Sequence, residues 1–294
     1  MIEKNLLKEY NELKKGVMMN MKIMVIVGIS LLLFSSVAYG AGMARPLGMG
    51  GAFIAISDDV NGIFENPAGL CFGRGQELGV YYSGVNNEAA AGIGYRYTFG
   101  NSAALGVAVL RSVFSSFYYD LQDRYAYIAY SQKLSEGFSL GANLKGEVIR
   151  YSGISTNEGT GYSSDIGLLW EINKNFSLGV VVQNALKTTI KFTDDTEVEV
   201  DRYIEGGFSW RPGGDEGLIL ALDLSRVEGT FIYGFGVEGR PTDAIVLRGG
   251  ASGATSELSK RSLFAGIGFN VSRGLYFDIA VGSSNSTGSF SWLF

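Results

Sequence analysis

The chain predicts an all-β fold: a closed antiparallel transmembrane β-barrel of about 14 strands. Three observations predict it. Its 294 residues include 42 Gly, 18 Phe and 16 Tyr but only 4 Pro, a composition that suits strands joined by tight turns. From Gln76 onward apolar and polar residues alternate with a period of two. The alternating segments mostly run to lengths of about 9–14 residues, longer than the ~5–6 of soluble strands and enough for the ~9–11 of a tilted bilayer crossing.

Before the strands, Ile23 to Phe34 is apolar except for Gly28 and Ser30. Lys14, Lys15 and Lys22 precede it, and Ser35-Ser36-Val37-Ala38-Tyr39-Gly40 follows. A basic flank, a short apolar core and an Ala38-x-Gly40 site read as a secretory signal, too short for a spanning helix. Residues 1–40 are therefore assigned as signal peptide with an upstream extension, Met21 being the better initiator. A retained anchor helix is the alternative. The lack of Cys at the junction argues against a lipoprotein signal.

Residues 41–75 differ in character. They carry Gly48-Met49-Gly50-Gly51-Ala52-Phe53-Ile54-Ala55-Ile56-Ser57-Asp58-Asp59 and then Asn66-Pro67-Ala68-Gly69-Leu70. Asp58, Asp59 and Asn66 are turn and cap formers, and Gly48, Gly50 and Gly51 permit close backbone approach. No Lys-Ser/Thr follows the glycines and no βαβ unit surrounds them, so a phosphate loop is excluded. Asp58-Asp59 as an acid pair or calcium ligand is the lesser reading; acceptance from turn amides is preferred. Cys71 reads as a packed small residue.

This pattern, G-M-G-G-A-F-x-A-x-x-D-D followed by N-P-A-G-L, resembles the start of the FadL-type long-chain fatty acid transporters and is similar to the PorV/PorQ group of outer-membrane proteins. It covers some 27 residues. Gly236-Val237-Glu238, Leu247-Arg248-Gly249-Gly250 and Gln183-Asn184 look like recurrent PorV-type features. The resemblance implies that residues 41–75, with Gly48, Gly50, Gly51, Asp58, Asp59, Asn66, Pro67 and Gly69, form a hatch inside a 14-stranded barrel.

The barrel itself is assigned to residues 76–294, as segments 76–84, 88–98, 102–113, 122–133, 138–151, 160–172, 175–187, 200–211, 216–226, 230–240, 243–253, 261–270, 274–284 and 287–294. Taken alternately, one set of connections is short, from Phe99-Gly100-Asn101 to Val271-Ser272-Arg273. The other is more variable, reaching Phe114–Leu121 and Lys187–Glu199. Short inner turns and longer outer loops are the barrel pattern, and an even count puts both ends on the turn side. The outward row is Leu, Val, Ile, Phe and Trp. The inward row mixes Gly and Ala with Lys145, Glu147, Asp165, Glu171, Asp223, Glu238, Arg248 and Asp278. Those charges read first as ion pairs across a narrow lumen, and second as transport groups.

The final strand places Phe290, Trp292 and Phe294 on one face. This ending resembles the signal by which bacterial barrels reach their insertion machinery; a last strand docked on a soluble core is the alternative. A bilayer admits a sheet only if it closes.

The chain has no histidine, which excludes Ser-His-Asp and Cys-His chemistry and the usual zinc ligand sets. No enzyme activity, cofactor or metal is expected. A net charge of −5 without a basic stripe argues against nucleic acid. The expected partners are outer-membrane lipid, the insertion machinery, and either a hydrophobic small molecule or secreted proteins. Uptake of hydrophobic small molecules is the first functional reading, with Phe114, Phe117, Tyr118 and Tyr119 as the best collecting patch. A PorV-like scaffold for secretion or surface attachment is the second, and a soluble periplasmic β-protein the third.

Overall fold

The computed structural model describes residues 43–294, apart from 86–87, 116–119, 153–155, 187, 216, 228–229, 256, 273 and 284–285. The proposed signal, its cleavage site, and Phe117, Tyr118 and Tyr119 lie outside the described residues. Seventeen strands follow one another from β1 (Gln76–Val85), β2 (Glu88–Phe99), β3 (Ala103–Ser115), β4 (Asp120–Ser135), β5 (Phe138–Ser152) and β6 (Thr156–Asn173). Next come β7 (Phe176–Gln183), β8 (Thr188–Phe192), β9 (Glu197–Val200), β10 (Tyr203–Trp210), β11 (Pro212–Asp215) and β12 (Leu218–Val227). The last are β13 (Thr230–Thr242), β14 (Ile245–Ala254), β15 (Glu257–Ser272), β16 (Leu275–Gly282) and β17 (Ser286–Leu293).

Strands β1–β7, β10 and β12–β17, fourteen in all, form a closed antiparallel barrel. The seam is β1 on β17, in register from Glu77↔Leu293 to Gly84↔Ser286. Closure leaves these strands without an edge, so the ladder can satisfy backbone groups where water is absent.

Alternation sorts the side chains. Outward Ile128 and Leu144 are 62% and 61% exposed, whereas their neighbours Ala129 and Asn143 are 1% exposed. An apolar belt that no protein covers belongs against lipid. No helix among the described residues is long and apolar enough to cross a membrane.

Several boundaries differ from the sequence expectation; among them, the expected turn Pro212–Asp215 is a strand, β11. β3 runs to Ser115 and β4 starts at Asp120, so both ends of the expected loop Phe114–Leu121 belong to strands. The asymmetry of the two ends thus lies in strand extension, up to 18 residues in β6, more than in loop length. The expected loop Lys187–Glu199 carries the hairpin β8–β9, paired to the far end of β6 through Gly159↔Phe192 and Thr160↔Lys191. β7 ends at Gln183, short of 187, because Asn184 takes φ 52° and turns the chain out of the ladder.

Inside the barrel sits the N-terminal segment. It comprises helix α1 (Ala44–Gly48) and two 3-10 turns, Val60–Ile63 and Pro67–Phe72. Gly50 and Gly51 adopt φ 65° and 82° and end α1, the Gly51 amide donating to Pro46 O at 2.9 Å. The Asp59 carboxylate accepts from the Asn61 amide and caps the first 3-10 turn. Asn66 caps the second through Ala68 N, with Pro67 in the first position.

Each buried apolar cluster joins this segment to wall alanines. Val60, Ile63, Leu70 and Cys71 meet Ala104, Ala108 and Ala129; Met49, Phe53 and Ile56 meet Ala221; Ala44 and Leu47 meet Ala280. Small wall residues make room and the segment supplies the volume. Phe53 and Ile54 are fully buried, and each such side chain contributes roughly 1.5–3 kcal/mol.

Candidate functional site

The lumen is organised in three tiers from the turn end to the loop end. At the turn end an ion-pair network ties α1 to the wall. The Glu238 carboxylate accepts from Arg45 Nε at 2.9 Å and Arg248 Nε at 2.7 Å, and Arg248 also bonds Asp278. The Arg45 Nη1 donates to Asp58 and Asp59, each at 2.7 Å. Burial alone would lower the Arg45 guanidinium, but attraction from Asp58, Glu238 and Asp59 reverses this and holds it well above its usual value. Burial also opposes ionisation of Asp58, yet Arg45 and then Arg211 hold its carboxyl below the usual range. Asp59 is raised, by burial and by Asp58 beside it.

A second knot fixes the start of the first 3-10 turn, at Val60. Arg96, 1% exposed, donates to Glu77 Oε2 at 3.1 Å, to Thr98 Oγ1 at 2.7 Å and to Arg74 O at 3.1 Å. The same Glu77 oxygen accepts from Val60 N at 2.9 Å. Between the two networks lies a polar cavity of about 450 Å³, lined by Arg45, Asp58, Arg74, Glu77, Arg240 and Tyr276 among others.

In the middle tier the wall grips the segment backbone. Asp223 Oδ2 accepts from Phe53 N and Ile54 N at 2.6 and 2.8 Å. Asn66 Nδ2 donates to Ile54 O and to Leu168 O, and Ser139 Oγ donates to Ala68 O at 2.7 Å. Two glycines are required by this fit. A Cβ on Gly50 would stand 2.6 Å from Ala251 N, and one on Gly69 would overlap Ser57 O. The wall makes matching allowances: inward Gly141, Gly167 and Gly179 lie directly against Ala68, Asn66 and Ile54.

The loop-end tier is aromatic and acidic. Phe64, projecting from the segment, packs edge-on against Tyr81 at 5.6 Å and Tyr127 at 4.9 Å between centroids. Tyr125 OH donates to Glu147 at 2.7 Å. Lys145 Nζ lies 2.7 Å from Asp165 Oδ1 and donates to Asn184 Oδ1 at 2.8 Å. Glu65 has its carboxyl pushed up to about 8, first by burial and then by Glu205, Asp223 and Asp59. A cavity of about 350 Å³ beyond it is lined by Ala90, Ser112, Phe114, Leu121 and Asp123.

The sequence-assigned residues are thus distributed through these tiers. Asp58, Asp59, Glu238, Arg248 and Asp278 come together; Lys145 and Asp165 pair; Asp223 and Glu147 engage an amide pair and a tyrosine in place of a cation. Gly48 lies against Arg248 and Gly266. Phe290 and Trp292 lie on the seam strand β17 and Phe294 just beyond it, where Phe294 N donates to Gln76 O at 2.8 Å. Arg45, Glu65, Glu77, Arg96 and Asn143 were not singled out by sequence reasoning. Inward parity was available for Glu77, Arg96 and Asn143; nothing local marks Arg45, whose partner Glu238 is 193 residues away.

No catalogued protein family and no curated protein matches the sequence. Solved structures do match the fold. The toluene transporter TbuX of Ralstonia pickettii superposes with a TM-score of 0.68 at 13% identity, covering 86% of this chain and 98% of that one. The CymD monoaromatic hydrocarbon channel gives 0.68 at 17% identity, with 86% and 97% covered. A Pseudomonas aeruginosa FadL homologue gives 0.63 at 12% identity, with 87% and 98% covered. At these identities the likeness establishes a shared barrel architecture over nearly the whole length of each neighbour.

Proposed function

We propose that this chain is an integral protein of the bacterial outer membrane that takes up small hydrophobic molecules, with residues 41–75 serving as its hatch. The observation that carries the reading is the position of the N-terminal segment. It lies between an aromatic tier at the loop end and a polar cavity at the turn end, inside a barrel whose outer face is apolar. Tyr81, Phe64 and Tyr127 offer ring faces and edges to an apolar solute before it meets the segment. The architecture shared with toluene and monoaromatic hydrocarbon transporters supports the choice of solute class.

The test is uptake of radiolabelled toluene and of oleate by cells that make the chain, against cells that do not. Saturable toluene uptake dependent on the chain is expected. Equal entry of both probes with and without the chain would overturn the proposal.

A PorV-like docking role is the second reading, favoured by the hairpin β8–β9. This hairpin stands outside the barrel ladder, ends the sheet order at β9 and exposes Asp194, Asp195 and Glu197. An exposed sheet edge is a template for strand addition. A partner that co-purifies from native envelopes, and is lost when 188–200 is replaced by a Gly-Ser linker, would favour it over uptake.

A further inference from the structure

The outer wall of β2–β6 can be read rung by rung from the strand register. One rung runs Ile93, Val109, Ala126, Gly146, Tyr162. The next rung toward the loop end runs Ala91, Arg111, Arg124, Val148, Thr160, and the one beyond it holds Gln122, Arg150 and Glu158. All of these lie on the outward row, and the rung on the turn-end side, with Val107, Ile128 and Leu144, is wholly apolar on β3–β5. The belt therefore ends where Arg111 and Arg124 begin.

Two features of this boundary need an explanation. Arg111 and Arg124 are direct cross-strand partners, an arrangement that like charges destabilise. Arg150 faces Glu158, but no ion pair among the described residues joins Arg111 or Arg124 to a carboxylate; Arg111 Nη2 reaches only the Gln122 amide oxygen, at 3.2 Å. Immediately on the turn-end side of the pair, Ala126 and Gly146 leave a trough between Val109 and Tyr162. It belongs to a cavity of about 740 Å³ whose walls are almost entirely apolar.

We infer that this is a lipid site: the phosphate of an anionic outer-leaflet lipid bridges Arg111 and Arg124, and one acyl chain lies in the Ala126/Gly146 trough. A bound phosphate converts the like-charge pair into two charge-assisted contacts with guanidinium forks, the geometry arginine favours. The trough takes a methylene chain running toward the membrane centre, the direction an acyl chain must follow from a head group at the boundary. Arg150 sits one rung farther out, opposite Glu158, and does not line the trough. The inference rests on the membrane location proposed above but not on what the lumen carries.

Native mass spectrometry of the purified barrel in detergent tests it. Dioleoylphosphatidylglycerol is the probe, dioleoylphosphatidylcholine the zwitterionic control and inorganic phosphate the competitor. One tightly held phosphatidylglycerol is expected, preferred about tenfold over phosphatidylcholine. R111Q/R124Q should abolish the preference. Gly146→Leu should weaken both lipids alike; a Cβ there meets only the Tyr162 ring, at 3.6 Å, so the wall accepts it. Heat-modifiable migration on gels verifies that each variant is a folded barrel. Unchanged phosphatidylglycerol retention in R111Q/R124Q would overturn the inference, as would one-for-one displacement of the lipid by inorganic phosphate. Recovery of the wild-type chain in detergent-free periplasmic extract would instead remove the membrane reading itself.

Discussion

Glu238 is the residue on which the turn-end network turns. It is 1% exposed and holds both Arg45 and Arg248, so Glu238→Gln leaves two guanidiniums short of a counter-charge in a buried place. Breaking such a pair from one side costs about 3–5 kcal/mol, and a lowered unfolding temperature in detergent is the expected readout. Glu65 makes a pH prediction. Its folded carboxyl titrates at about 8 against 4.5 unfolded, so between those values the folded state holds a proton that the unfolded state has released. Stability therefore falls as pH rises from 4.5 toward 8 and levels off above it. Glu65→Gln should flatten that decline in urea titrations at pH 5 and pH 8, whereas an unchanged slope would show that Glu65 does not cause it. At this scale the sequence was partly readable. Asp59 and Asn66 behave as the cap formers their type suggests, accepting from Asn61 N and Ala68 N. Arg45 was not, because its role depends on Glu238 in β13 and no short-range signal encodes that meeting.

The elements divide into those the barrel requires and those it carries. Val80 lies mid-seam, opposite Ile93 on β2 and Phe290 on β17. Val80→Pro removes a ladder donor within a membrane strand, where no water replaces it, and should abolish the heat-modifiable form. Replacing 188–200 by a linker should leave that form intact, since β8 and β9 pair only with each other and with the tip of β6. The contrast between the two variants is the check. Strand existence was legible because alternation tracks the pleat: Leu218, Leu220, Leu222 and Leu224 face outward and Ala221, Asp223 and Ser225 inward. The end of β7 was not, since Asn184 departs from the ladder to satisfy Asp165, Lys145 and Asp201, all distant in sequence. Nor was the hairpin over 188–200, whose pairing partner is the extension of β6.

For the molecule as a whole, the interior segment should decide conductance. In planar bilayers the intact chain should pass little ionic current, and a chain lacking residues 44–73 should show a steady open pore; equal currents would mean that the segment obstructs nothing. Barrel class and strand number were readable because lipid imposes a length and a period on every crossing strand. The solute was not readable, for it depends on how Phe64 meets Tyr81 and Tyr127 across the lumen. The seam has a consequence in time. Its partners, Glu77 and Leu293, are near opposite ends of the barrel sequence, so their meeting is the longest-range step of folding. The segment that fills the interior emerges ahead of β1, whereas β17 arrives last. Once the ring is shut, no gap in the wall is left for threading Met49 and Phe53 into place. Gathering the wall around its contents avoids that threading, and on this route a barrel caught before ring closure should already shield Phe53 from hydrogen exchange.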